Sequence, residues 1–285
     1  LDVNVYDLSG VYGITFPKSI YSKKGRKRRA SSTISVDNNY SKSKGFEDER
    51  DNCMKVTAAH EFFHAVQNAY NIDADSWWKE ATATWNEDEI YNNVNDYIRY
   101  IGKVFSNPDK PLESNSYGGV VFAKYLSEHL GGYRIIKSIW ETQGNRYDSS
   151  IDAIDATLKE RYWGQSIGTA FDEYTACNFN PAQYYREGEL WEKSVVIDNT
   201  FEEYPVSAQK DSLVHMAAKY QMFKPKGSIA EKNLRVVVEA KNGDDLGFKL
   251  QKRKKSDNLC YLTEISIDGS YDRAEVLCRG FGETY

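Results

Sequence analysis

His60-Glu61-Phe62-Phe63-His64 is the stretch from which the rest of the chain is read. It lies inside a run, Asp51 to Asn71, in which Met54, Ala58, Ala59, Phe62, Phe63, Val66 and Tyr70 are apolar or aromatic. That recurrence follows the i, i+3, i+4, i+7 pattern of a half-buried helix. On a helix, residues four apart lie only ~40° apart around the axis. The two imidazoles can therefore grip one metal ion, with Glu61 beside them to act on a water at that ion. The chain has only 4 His in 285 residues, so a pair at this spacing is a rare pattern. A short motif can still arise by accident, and a second segment has to support it.

That segment follows at once. Asn71-Ile72-Asp73-Ala74-Asp75-Ser76 is a polar turn, and Trp77 to Asp88 opens a second helix with Ser76 or Asp75 as its N-cap. A turn this short folds the two helices together as an antiparallel pair. A catalytic zinc needs three protein ligands and one open position, and Glu80 is the candidate for the third ligand beside His60 and His64. Its negative charge leaves one zinc ion with a formal charge of about +1, which keeps a bound water acidic enough to ionise near neutral pH. Glu87 stands two helical turns beyond Glu80, only ~20° round the axis. It could accept the free ring N–H of a liganding histidine and fix its tautomer. The plainer alternative for Glu87 and its neighbour Asp88 is an exposed helix charge. Trp77, Trp78 and Trp85 surround Glu80 in sequence and are expected to pack the two helices together.

Composition limits the function classes. Aromatics make up 14 % of the chain, with 21 Tyr and 6 Trp, so the mean hydropathy of −0.67 does not signal disorder. No apolar run reaches the roughly 18 residues of a membrane span. Net charge is −5, and Lys23-Lys24-Gly25-Arg26-Lys27-Arg28-Arg29 alone carries +6, leaving −11 on the rest. An acidic surface argues against nucleic acid as the main partner. The basic tract is either a solvated loop or an exposed site of processing. Cys53, Cys177, Cys260 and Cys278 show no C-x-x-C spacing, which argues against a cysteine zinc site. Cys260 and Cys278 lie in two β-like runs and could pair across strands or remain thiols. The chain starts at Leu1 rather than Met and has no leader, as a mature or trimmed product would.

In order, residues 1–20 read as extended, and Ser31 to Asp37 is a strand candidate that could hold an extended substrate by edge pairing. Helical patterns continue through 96–106, 117–130, 134–142, 150–162 and 166–179, separated by Gly-, Asn- or Pro-rich loops. Near Ser194 the character changes to short β-like runs at 195–197, 212–223, 234–239, 246–250, 259–267 and 274–278. The expected fold class is α+β: a short N-terminal β-region and a mainly helical body over residues 1–193, then a small β-sandwich-like region over 194–285, which could be incomplete.

His60-Glu61-x-x-His64 followed by Trp77-Trp78-Lys79-Glu80-Ala81-Thr82-Ala83-Thr84-Trp85-Asn86-Glu87 resembles the gluzincin zinc metallopeptidases. In detail, with Ala58-Ala59-His60-Glu61-Phe62-Phe63-His64-Ala65-Val66-Gln67, it looks closer to a little-characterised family of secreted bacterial metalloproteases first noted in myxobacteria than to the aminopeptidase branch of that group. The likeness covers about residues 30–130 well and the remainder by general layout. It implies a gluzincin-like catalytic body, one catalytic Zn2+ held by His60, His64 and Glu80, and an extracellular or cell-surface location. Glu61 would be the general base and proton shuttle in peptide-bond hydrolysis. Tyr117, in Ser116-Tyr117-Gly118-Gly119, is similar in position to the oxyanion-donating tyrosine of such enzymes. His129 and His215 are rivals for that role, and an ordinary packed tyrosine is the plainer reading of Tyr117. Position 81 is Ala where the aminopeptidase branch has Gly, and no G-x-M-E-N signature is present. The expectation is therefore an endopeptidase acting on proteins or peptides, with the C-terminal region as a possible contact for a cell-surface partner. Two alternatives stay open: a catalytically silent binding or adhesion module, and a zinc hydrolase of a non-peptide bond, since the motif does not choose the electrophile.

Overall fold

A computed structural model describes residues 1–40, 50–162, 164–207, 209–225, 233–239, 246–253, 260–265, 273–279 and 281 of the chain. The architecture is α+β, with a short N-terminal sheet, a helical body and small C-terminal strands. Residues divide into two compact units, the first formed by 1–104 with 112–167, the second by 105–111 with 168–285.

The first unit begins with β1 (Asp2–Tyr6), β2 (Gly13–Tyr21) and β3 (Arg29–Asp37), in the order β1-β3-β2. β1 runs parallel to β3 and β2 antiparallel to it. β3 is thus the central strand, with both edges paired. The expectation that this segment offers a free edge to a substrate is corrected: the free edges belong to β1 and β2. Burial explains the arrangement, because Ile34 and Val36 lie in the core while Val3 and Val5, opposite them, stay exposed. Asp37 ties the strand ends together by accepting the backbone N–H of Leu8 at 3.1 Å and of Tyr40 at 2.6 Å. The basic tract forms the β2–β3 connection. Lys23, Lys24 and Arg26 are exposed, but Lys27 pairs with Asp148 and Arg28 with Asp73, so only the tip of the loop fits the solvated reading.

Next come α1 (Arg50–Asn68) and α2 (Ser76–Ile90), packed together as the turn between them requires. Trp77, Trp78, Ala81, Ala83 and Trp85 are all buried, so α2 is a central helix covered on several sides rather than a surface one. Asp75 occupies its N-cap, but the carboxylate makes no bond to its own helix. It accepts the backbone N–H of Ser150 instead, at 2.6 Å. The expected capping bond is corrected accordingly: the side chain secures the start of a different helix. α3 (Ile98–Ser106) follows, then a 3₁₀ segment Leu112–Gly119, α4 (Val120–Tyr125), a π-helical turn Leu126–Gly131, α5 (Tyr133–Asn145) and α6 (Ser150–Arg161). Gly119 lets the 3₁₀ segment lie close against α2, since a Cβ there would stand 2.8 Å from that of Ala81. Trp85 packs on Phe63 of α1 and donates to Ser127 Oγ at 3.0 Å, which bears out its structural role. Asp88 is buried, not exposed, and meets the buried Lys124 ammonium at 2.6 Å.

The second unit contains α7 (Ile167–Phe179), which starts at the boundary residue, α8 (Pro181–Tyr184) and, among the described residues, three two-stranded ladders. β4 (Asn199–Phe201) runs parallel to β5 (Gln221–Phe223). β6 (Leu234–Glu239), β7 (Phe248–Arg253), β8 (Cys260–Ile265) and β9 (Arg273–Cys278) form two antiparallel pairs, β6 with β9 and β7 with β8. Residues 195–197 form no strand: Val196 gives its N–H to Phe105 O at 2.9 Å, outside any ladder. Of the expected run 212–223 only the last three residues pair. Cys278 is a free thiol, and Cys53 and Cys177 are buried. Among the described residues no helix is long and apolar enough to cross a membrane.

Candidate metal centre

The centre is built by two helices. α1 presents His60, Glu61 and His64, and α2 presents Glu80 and Glu87. Asn86 braces the pair by donating to Ala59 O at 3.1 Å, one residue before His60. The imidazoles of His60 and His64 stand edge to face with centroids 4.5 Å apart. Glu80 spans them: Oε2 lies 3.2 Å from His60 Nε2 and Oε1 lies 3.6 Å from His64 Nε2. Donor atoms of all three residues fall within 4.8 Å of one another. Ligands at ~2.1 Å around a tetrahedral ion are separated by about 3.4 Å, close to the 3.2 and 3.6 Å between Glu80 and the two imidazoles. His60, His64 and Glu80 therefore form a group that could hold a metal ion.

The outer ring nitrogens decide whether the inner ones are available. His60 Nδ1 is 2.5 Å from Glu87 Oε1, and an acceptor-only carboxylate fixes the proton on Nδ1. Nε2 is then the nitrogen turned to Glu80, 3.2 Å away. His64 is set by Gln67, whose Nε2 donates to Lys79 O at 2.9 Å and to Thr82 Oγ1 at 3.1 Å. That orientation of the amide turns Gln67 Oε1 to His64 Nδ1, 2.7 Å away, so His64 too carries its proton on Nδ1. Gln67 thus links the ligand helix to the residue before Glu80. It was not singled out from the sequence, although it lies seven residues after His60 and on the same helix face. Thr15 was missed too, and nothing local could have found it. Its hydroxyl reaches Glu61 from β2, 46 positions away, at 2.6 Å from Oε2 and 2.9 Å from the backbone O.

Charge is concentrated here in little water. Burial opposes a charged His60, but the Glu80 and Glu87 carboxylates outweigh it and push its pKa up to about 10. Burial raises the Glu87 carboxyl. Burial also opposes the Glu80 carboxylate, yet hydrogen bonds from His60 and His64 hold it well below the usual range. Without an ion the pocket retains a proton, which a metal would have to displace from His60 Nε2.

Tyr117 joins the group. Its ring stacks on His60 with centroids 5.7 Å apart and on Tyr100 at 4.9 Å. Burial and the nearby Glu80 carboxylate push its phenol well above the ordinary value. The residue before it, Ser116, has φ 44° and ψ −120°, a conformation side-chain-bearing residues rarely adopt. His129 is exposed and stacks on Tyr125, and His215 is exposed in the second unit; neither belongs to the metal group. Beyond Glu87, Asp96 pairs with Arg99 at 3.1 Å, and that guanidinium lies over the rings of Tyr100 and Tyr12 at 5.0 and 5.9 Å.

No protein-family model, no curated protein and no solved structure matches the chain.

Proposed function

We propose that the protein is a zinc-dependent peptidase, an endopeptidase of the gluzincin type. The observation that carries this reading is the joint placement of His60, His64 and Glu80 as three converging donors, with Glu61 next to His60 on the same helix. Two imidazoles and one carboxylate, both imidazoles oriented by proton acceptors, make a donor set suited to zinc. Zinc, when bound, supplies Lewis-acid polarisation of a carbonyl and lowers the pKa of a water.

The chain's own groups do the remainder. Glu61 takes the proton from the attacking water and returns it to the leaving amine. Tyr117 holds its proton firmly and is half-exposed beside His60, as a donor to a developing oxyanion must be. Glu87 keeps His60 fixed in rotation, and Gln67 does the same for His64. An extended peptide would find its nearest free sheet edge at β2, whose Thr15 touches Glu61. The secreted or cell-surface location belongs to this same proposal, as does a surface contact through the C-terminal region.

The test is a digest of casein or a peptide library by the zinc-loaded protein. Cleavage should be abolished by a chelator, restored by zinc, and lost in Glu61→Gln although that variant still binds about one zinc per chain. Tight zinc with no cleavage of any peptide pool would reject the peptidase reading in favour of a non-peptide substrate or a silent binding module.

A further inference from the structure

We propose that Thr15 is a positioning residue for Glu61, and that Gly13 makes room for it to be one. This rests on the reading of Glu61 as the general base. Gly13 and Thr15 are two apart on β2, so they point to the same face of the sheet, the face that meets α1. Thr15 Oγ1 donates to Glu61 Oε2 at 2.6 Å, the short spacing of a charge-assisted bond. A Cβ on residue 13 would stand 2.6 Å from Glu61 Cγ, 2.8 Å from Thr57 Cγ2 and 3.0 Å from Glu61 Oε1. Any larger residue there would push the carboxylate aside.

Three consequences make this more than a tie between sheet and helix. Glu61 is only 6 % exposed, so its carboxylate has lost most of its water and needs a protein donor. The donor engages one oxygen, Oε2, and so leaves Oε1 as the oxygen that takes the proton. A glutamate has three side-chain torsions, and fixing them before the reaction removes an ordering cost from the reacting step. The Thr15 hydroxyl also lies 2.9 Å from Glu61 O.

The experiment compares Thr15→Val, Thr15→Ser and Gly13→Ala in the zinc-loaded full chain, with steady-state kinetics and metal content, and adds a double-mutant cycle. Thr15→Val should lower kcat about 10- to 100-fold at unchanged metal content and with KM little changed. Thr15→Ser should restore most of the rate, because it keeps the hydroxyl, and Gly13→Ala should fall with Thr15→Val. In the metal-free protein, Thr15→Val should lower the urea midpoint of the wild type but hardly that of Glu61→Ala. An unchanged kcat in Thr15→Val, or a Thr15→Ser as slow as the valine variant, would overturn the proposal. So would strictly additive effects in the cycle. If the wild type shows no chelator-sensitive cleavage at all, the peptidase reading fails, and the urea cycle alone decides whether Thr15 holds Glu61.

Discussion

At the scale of single residues, the site turns on which nitrogen of each histidine carries a proton. Glu87 and Gln67 settle this for His60 and His64 respectively. Replacing Gln67 by Leu should therefore weaken metal binding by about 10- to 100-fold, read from competition with a chromogenic chelator. The proton held by His60 gives a pH dependence with a definite sign. Its folded pKa of about 10 lies above the ordinary 6.5, so in the metal-free protein it adds stability that is complete below pH 6.5 and lost as pH rises through 10. Metal binding works in the opposite direction. It must expel that proton, so loading at pH 7 should release about one proton per chain, measured with a pH indicator in weak buffer. Of these residues, His60, His64, Glu80 and Glu87 were legible in the sequence because helical spacing puts them on single faces. Gln67 was equally legible by spacing, but glutamine carries no chemistry of its own to draw the eye. Thr15 was not legible, because only the fold brings β2 over Glu61.

At the scale of elements, α2 organises the unit by being buried along most of its length. A buried helix must satisfy its charged groups internally, and Asp88 does so through Lys124 on α4. Asp88→Ala leaves that ammonium buried, with the Glu128 carboxylate at 3.7 Å. It should cost roughly 3 kcal/mol of stability, checked by denaturant unfolding. Ser116 is the strained point of the 3₁₀ segment that presents Tyr117. Ser116→Gly should relieve about 1 kcal/mol of backbone strain, raise the thermal midpoint and loosen the stacking of Tyr117 on His60. The helices of the body were legible because a 3.6-residue period repeats over many turns, from 98–106 to 167–179. Sheet order was not, since alternation in Thr33, Ile34 and Val36 marks a strand without saying which neighbours it takes. The same limit explains residues 195–197 and 212–220: they have β-like composition, but among the described residues no strand pairs with them.

At the scale of the whole molecule, the acidic surface and the basic loop are less opposed than the charge count suggests. Lys27 and Arg28 are absorbed by Asp148 and Asp73, so the loop is fastened to the helical unit at its base. The change from helix to strand near residue 194 was legible from composition. The path of the chain between the two units was not, because residues 105–111 carry no mark of belonging to the second. Phe105 takes the N–H of Val196 and packs on Trp191 at 6.0 Å, and Pro108 takes the N–H of Ala218. The chain therefore visits the second unit once in passing before it settles there for good. A single enzymatic nick engineered between α6 and α7 would separate the polypeptide into two pieces without separating the protein. The two fragments should run apart on a denaturing gel yet travel as one peak through a sizing column, and mixing them after unfolding should rebuild the whole.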